Sequence, residues 1–248
     1  MTKQINLYSP RLSYDMFPAD NNPPCILFVH GGGFVGGSKD NTNLAGVEAF
    51  QKDGFSVARM NYTLATKGSP TFRQAPLDVL NCIANIKANY NPSDIYLVGT
   101  SAGATIALQA ALTNPTVISK LALLYGIYDF TRSYRDLMSS PTNVQDMLDI
   151  YLGSDKITCP KVKRSVAQLL SPLHISKMKP FPRTLPTFIA HGASDPVVNC
   201  VQSRILVQHL IFHHKNIFGY KEYPKVGHGF NPTNPFCYTD LIGFFNAS

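Results

Sequence analysis

No stretch of this chain approaches the roughly 20 consecutive apolar residues that a membrane-spanning helix needs. The opening residues, Met1 to Asn6, also lack an apolar run of secretory-leader length. A cytoplasmic location with no membrane partner is the default expectation. The five cysteines (Cys25, Cys82, Cys159, Cys200 and Cys237) are odd in number and contain no CxxC pair. They read as reduced, mostly packed thiols, which agrees with a reducing compartment. Internal repeats and low-complexity segments are absent too, which leaves out repeat architectures and linker-rich arrays. Charged residues make up only 15% of the chain against 44% hydrophobic ones, the balance of an ordinary globular protein with no call for disorder.

Acidic residues are the scarcer charge: the formal net charge is +7. Such an excess raises the question of nucleic acid or an acidic surface. Seven of the 22 basic residues fall between Lys156 and Arg183, but prolines and apolar residues interrupt them. No aromatic-interleaved basic stripe or nucleic-acid motif accompanies the cluster, so a solvated basic face is expected and no nucleic-acid partner.

A length of 248 residues suits one large α/β domain, 1–248, with a substantial core. The pivotal stretch is Gly99-Thr100-Ser101-Ala102-Gly103. It follows the apolar run Ile95-Tyr96-Leu97-Val98, which reads as a buried strand of a parallel sheet. It precedes the Ala- and Leu-rich run 104–112, which reads as a helix. A Gly-x-Ser-x-Gly between strand and helix is a nucleophile elbow, where a strained turn lifts the serine hydroxyl clear of the sheet. The bare pentapeptide occurs by chance in many chains, and a glycine-rich turn with an incidental serine is the plainer alternative.

Around this stretch the chain alternates. Short strands are expected at 4–7 and 12–16, broken at Pro10, then at 25–29, 55–60, 121–125, 186–191 and 218–223. Helices are expected at 42–53, 74–89, 199–213 and 235–246. Such alternation predicts a mostly parallel central sheet with helices on both faces. Between Gly126 and Arg183 it stops: Pro141, Pro160, Pro172 and helix-like pieces at 143–152 and 162–170 interrupt it, and 126–183 reads as a small lid or insertion within the domain.

Catalytic groups in such a sheet gather at the carboxyl ends of the strands. Three further signals fall there. His30-Gly31-Gly32-Gly33-Phe34 directly follows a strand, and its glycines permit backbone N–H groups to point at a developing oxyanion. Gly32 and Gly33 are the candidate donors, joined by Ala102 after the serine. A phosphate loop is the alternative, but GxGxxG and the P-loop ending are both missing. His30 reads as a brace for the loop. Asp195 follows the 186–191 strand, where its carboxylate can orient a histidine or, equally, cap a helix. His228 sits between two glycines after the 218–223 strand. The chain order Ser101, Asp195, His228 is that of the α/β-hydrolase triad. Phe34, Tyr62 and Tyr125 are candidates to line a substrate pocket, although aromatic residues at strand ends serve as core just as often. His209, His213 and His214 share a predicted helix, but no acidic or cysteine ligand neighbours them and no metal is expected.

The segments His30–Phe34, Asn61-Tyr-Thr-Leu-Ala65, Gly99–Gly103, His191-Gly-Ala-Ser-Asp195 and Gly227-His-Gly-Phe230 together resemble the α/β-hydrolases, and among them the hormone-sensitive-lipase-like esterases and their short bacterial relatives. The resemblance implies an α/β-hydrolase fold and hydrolysis of carboxylic esters with short acyl groups. It implies a small-molecule ester substrate and no metal or organic cofactor, and a homo-oligomer is compatible with it. The chain departs from the pattern at Thr100, where an acidic residue is common, and at Thr63, where arginine is frequent. Its N-terminal segment is too short for the helical cap of larger members. A small open pocket would suit short acyl chains or a bulky alcohol side such as an acetylated sugar. Two rival readings keep the scaffold. One is amide or formamide hydrolysis, as in kynurenine-formamidase-like or prolyl-peptidase-like enzymes. The other is a non-catalytic binding protein, although those normally lose a triad member and none is missing here.

Overall fold

The computed structural model describes residues 3–42, 44–132, 144–178, 185–214, 218–229 and 236–247. Parts of the expected insertion (133–143 and 179–183), Phe230, and the side chains of His213 and His214 lie outside the described residues. Eight strands form one sheet: β1 (Gln4–Ser9), β2 (Leu12–Phe17), β3 (Cys25–Val29), β4 (Ser56–Met60), β5 (Ile95–Thr100), β6 (Lys120–Leu124), β7 (Thr187–Gly192) and β8 (Phe218–Tyr223). Their spatial order is β1-β2-β4-β3-β5-β6-β7-β8. The first two strands make a hairpin that pairs antiparallel with β4, and every later pairing is parallel.

Strand periodicity divides the core into two layers, because successive side chains point to opposite faces. Leu27, Val29, Ala58, Met60, Leu97, Leu121, Leu123 and Ile189 face one layer with α2 (Gln74–Tyr90) and α3 (Ala102–Thr113). Ile26, Phe28, Val57, Tyr96, Val98, Ala122, Leu124 and Phe188 face the other with α1 (Leu44–Lys52) and α8 (Phe236–Asn246). Being covered on both sides explains why β3 and β4 are buried at every residue. Between β6 and β7 lie α4 (Val144–Leu152), α5 (Pro160–Leu170) and α6 (Pro172–Met178), and Leu148, Tyr151 and Ala167 join the first layer. After β7 comes α7 (Val201–His209), which the chain leaves through one wider helical turn, Leu210–His214. His209 is buried and bonds Ser176 Oγ at 2.8 Å. Among the described residues no helix is long and apolar enough to cross a membrane.

Two features of this architecture position the site. The chain leaves β3 toward β4 on one side and later adds β5 on the other, so the strand order reverses between β3 and β5. A crevice opens outside the carboxyl ends of strands at such a point. Helix α3 also lies unusually close to β3. Residues Ala102 to Leu112 are all buried, so the helix is packed against protein around its whole circumference. At Gly103 the limit is absolute, since a Cβ there would fall 2.2 Å from Val29 O and 2.5 Å from His30 O. Gly103→Ala is therefore expected to lower stability by about 1–3 kcal/mol through overpacking against backbone. Chemical denaturation would measure it, and an unchanged midpoint would refute the close approach.

Candidate active site

Ser101 joins β5 directly to α3, with no loop between them. Its backbone takes φ 52° and ψ −122°, a conformation that costs a β-carbon-bearing residue on the order of 1–3 kcal/mol. The turn is held from outside by the Ser101 N–H donating to Leu124 O at 2.9 Å. Its side chain lines the crevice at the carboxyl end of β5, an interior strand.

His228 lies on the loop after β8, five residues beyond the strand. Its Nε2 is 2.9 Å from Ser101 Oγ, and its Nδ1 is 2.7 Å from Asp195 Oδ2. A carboxylate only accepts, so Nδ1 carries the proton and the Nε2 lone pair faces the serine. This is the tautomer of a ring ready to take a proton from the hydroxyl. The Tyr125 ring meets His228 edge-on, with centroids 5.0 Å apart.

Asp195 follows β7 in the turn 192–198, and its side chain is fully buried. Oδ1 accepts the N–H groups of Val197 (2.8 Å) and Val198 (2.9 Å). Asp195 does not take the alternative role of capping α7, whose N-cap position is Cys200 and whose Val201 N–H goes to Asn199 Oδ1. Burial pushes the Asp195 carboxyl up, but hydrogen bonds from His191 and His228 outweigh it and hold the group well below the usual carboxylate range.

The glycine loop sits across the crevice. Gly32 and Gly33 have φ 127° and 61°, which glycine adopts without the steric penalty of a side chain. A Cβ added to Gly31 would lie 3.7 Å from Ser101 Oγ, so the loop borders the hydroxyl directly. Among the described residues no backbone acceptor takes the N–H of Gly32, Gly33 or Ala102. Ala102 is the first residue of its helix, where an N–H has no intrahelical partner and the dipole favours negative charge. His30 braces this loop: Nδ1 is 2.6 Å from Gly31 O, and burial holds the ring's pKa down.

The cleft over Ser101 measures about 450 Å³. Phe34 and Tyr125 line it together with Ile127, Met147, Val197 and Val198. Phe34 is nonetheless only 1% exposed, stacked on Tyr151 with centroids 4.0 Å apart. The expectation for Tyr62 needs correcting. It is buried, stacks on His30 at 4.3 Å and donates its hydroxyl to His30 O at 3.1 Å. It faces a separate cavity beyond the loop and does not line the cleft. Sequence reasoning missed Met147, which α4 places on Gly33: a Cβ there would fall 2.3 Å from its sulfur. It also missed His191, whose Nε2 is 3.2 Å from Asp195 Oδ2; the only local sign is a histidine four residues before that aspartate.

Comparison with known proteins agrees with this architecture. The chain is similar to esterase LipC of Mycobacterium tuberculosis, 27% identical over 231 residues that cover 84% of this chain and 53% of that protein. It is also similar to the isoprenylcysteine alpha-carbonyl methylesterase ICME of Arabidopsis thaliana, 25% identical over 223 residues covering 79% and 48%. The chain thus spans about half the length of the curated relatives it matches. Among solved structures, a truncated carbohydrate esterase from gut microbiota superposes with a TM-score of 0.79 at 17% identity, covering 99% of this chain and 95% of that one. A bacterial heroin esterase superposes with a TM-score of 0.75 at 20% identity, covering 95% and 78%. At these identities the likeness speaks to the fold, which is that of the α/β-hydrolases. The BD-FAE family model matches residues 14–210, and with sheet order, elbow and crevice all in place, the chain belongs to the BD-FAE family.

Proposed function

We propose that this protein is a serine hydrolase that cleaves carboxylic esters with short acyl groups through an acyl-enzyme. One observation carries the reading. Ser101 Oγ lies 2.9 Å from His228 Nε2, and Asp195 at 2.7 Å fixes the tautomer that leaves that nitrogen unprotonated. Ser101 is the nucleophile, His228 the general base and Asp195 the group that orients the imidazole and stabilises the imidazolium.

His228 takes the Ser101 proton as Oγ bonds to the ester carbonyl carbon. The oxyanion that forms is held by the N–H groups of Gly32, Gly33 and Ala102, an arrangement whose single donors are each worth about 3–4 kcal/mol of transition-state stabilisation. Collapse breaks the bond to the alcohol, which leaves with the proton from His228. Water then gives a proton to His228 and attacks the acyl carbon, and release of the acid returns the proton to Ser101. The esterase names of the two curated relatives point the same way. A preference for short acyl chains draws support from the 450 Å³ cleft and from Met147 overhanging Gly33. A reducing, cytoplasmic setting suits the buried thiols, of which Cys25 is pushed up to about 12 by burial.

Ser101→Ala is expected to lower kcat on 4-nitrophenyl acetate by roughly five to six orders of magnitude while leaving the far-UV circular dichroism spectrum unchanged. Substantial activity surviving in that variant would remove Ser101 from its role. In an acyl series, kcat/KM for the acetate and butyrate esters should exceed that for the octanoate by about tenfold or more, a difference of about 1.4 kcal/mol. An octanoate value equal to or above the butyrate value would overturn the short-acyl assignment.

A further inference from the structure

An ionised carboxylate offers about four lone-pair sites, and on Asp195 all four are taken. Val197 N–H and Val198 N–H occupy Oδ1, while His228 and His191 share Oδ2 at 2.7 and 3.2 Å. The reaction proposed above uses only the His228 bond.

The protonation of His191 follows from its partners. Its Nε2 also lies 2.9 Å from Val198 O. Both neighbours of that nitrogen are acceptors only, so Nε2 carries the proton and donates to both. On the other edge Nδ1 is 2.7 Å from Ser203 Oγ, a hydroxyl able to donate. The ring is fully buried on β7, with hydrogen-bond partners at both nitrogens. The groups around it are accounted for. Glu222, its register partner on β8, is bonded to Arg204 of α7 and to Tyr220. The Tyr128 hydroxyl reaches Ser203, and Cys200, just before α7, lies within electrostatic reach of Asp195.

Resting on the hydrolase reading, we propose that His191 is a positioning residue: its Nε2–H fills the fourth acceptor site of Asp195 and locks the carboxylate plane against the His228 ring. A buried acid with one open site could rotate, or could take up a proton. With four donors in place it can do neither without losing a bond. Because His191 and His228 donate to the same oxygen, they compete for its charge. Removing His191 therefore loosens the alignment and concentrates the charge on His228.

His191→Leu and His191→Gln would be compared with the wild type on 4-nitrophenyl acetate. The Leu variant should lose about tenfold or more in kcat with KM little changed, the size of effect that a small misplacement of a catalytic group produces. The acid limb of its kcat/KM profile should move to higher pH by a few tenths of a unit, as His228 feels more of the Asp195 charge. The Gln variant, whose amide N–H reaches the same position, should recover most of kcat and return the acid limb. A purely structural role would lower the melting temperature without moving that limb, and an acid limb unmoved or shifted to lower pH would overturn the proposal. A second measurement needs no variant. In wild-type protein with 15N-labelled histidine at about pH 8, where ordinary imidazole is neutral, His191 should show the Nε2–H tautomer and His228 the Nδ1–H tautomer. An Nδ1–H tautomer at His191 would refute the assignment, since Nε2 could then donate nothing to Asp195. If the wild type fails to hydrolyse esters, the hydrolase reading falls, and the tautomer result still decides the role of His191 at Asp195.

Discussion

The site depends on one steric constraint: nothing larger than hydrogen fits between the start of α3 and the end of β3. The carbonyls of Val29 and His30 occupy the space into which a side chain on residue 103 would project. That contact draws the elbow and the glycine loop together across the reversal in strand order. With it, Gly31 borders the Ser101 hydroxyl, and Gly32, Gly33 and Ala102 line one cleft. Without it, the two loops would belong to neighbouring strands and share nothing. The hydroxyl's position is thus a consequence of backbone packing far more than of any interaction the serine makes.

Electrostatics works on top of that geometry. Asp195 is a buried charge, and burial alone would favour its neutral form. The protein meets the cost with donors drawn from the 192–198 turn, β7 and the His228 loop. Two stretches distant in sequence, β7 with its following turn and the loop carrying His228, converge on the same carboxylate. A buried, hydrogen-bonded charge contributes little net stability, but it specifies placement sharply, since any rearrangement leaves an acceptor unpaired. The loop carrying His228 gains its register in this way despite glycines on both sides of the ring.

Much of this was legible in the sequence wherever chemistry and local pattern coincide. The strands at 25–29 and 218–223 are short apolar or alternating runs bounded by turn residues, and the structure reproduces their limits. Ser101, Asp195 and His228 were conspicuous because glycine or turn punctuation follows a strand at each. Between β6 and β7 the sequence showed a loss of alternation and two helix-like pieces, 143–152 and 162–170, close to α4 and α5. Where they land was not visible: Tyr151 of α4 stacks on Phe34 and bonds Gln109 of α3, while α5 lies against α4 and α6, and no strand-helix rhythm records that. Tyr62 and Tyr125 each sit at a strand end with nothing local to separate them, yet one is buried beneath His30 and the other flanks His228. Met147 and Ile127 line the cleft through tertiary placement alone, and no short-range pattern announces that.

The same logic extends to the far side of the glycine loop. Asp15 on β2 is fully buried, with Lys39 Nζ at 2.8 Å and the Arg59 guanidinium at 2.8 and 3.0 Å. Burial raises its pKa, and the two cations overcome that and lower it. Arg59 also reaches Asp40 at 2.7 Å and donates to Thr42 O at 2.8 Å. These bonds tie the 38–42 turn to two strands, and the turn is closed on itself by Ser38 and Asn41. Asn41 in turn lines the cleft over Ser101. A network of this kind adds little to stability after desolvation, so its effect is better sought in where it holds the turn. The antiparallel hairpin at the sheet's edge, remote from the hydroxyl in sequence and in space, thereby sets one wall of the crevice in which that hydroxyl sits.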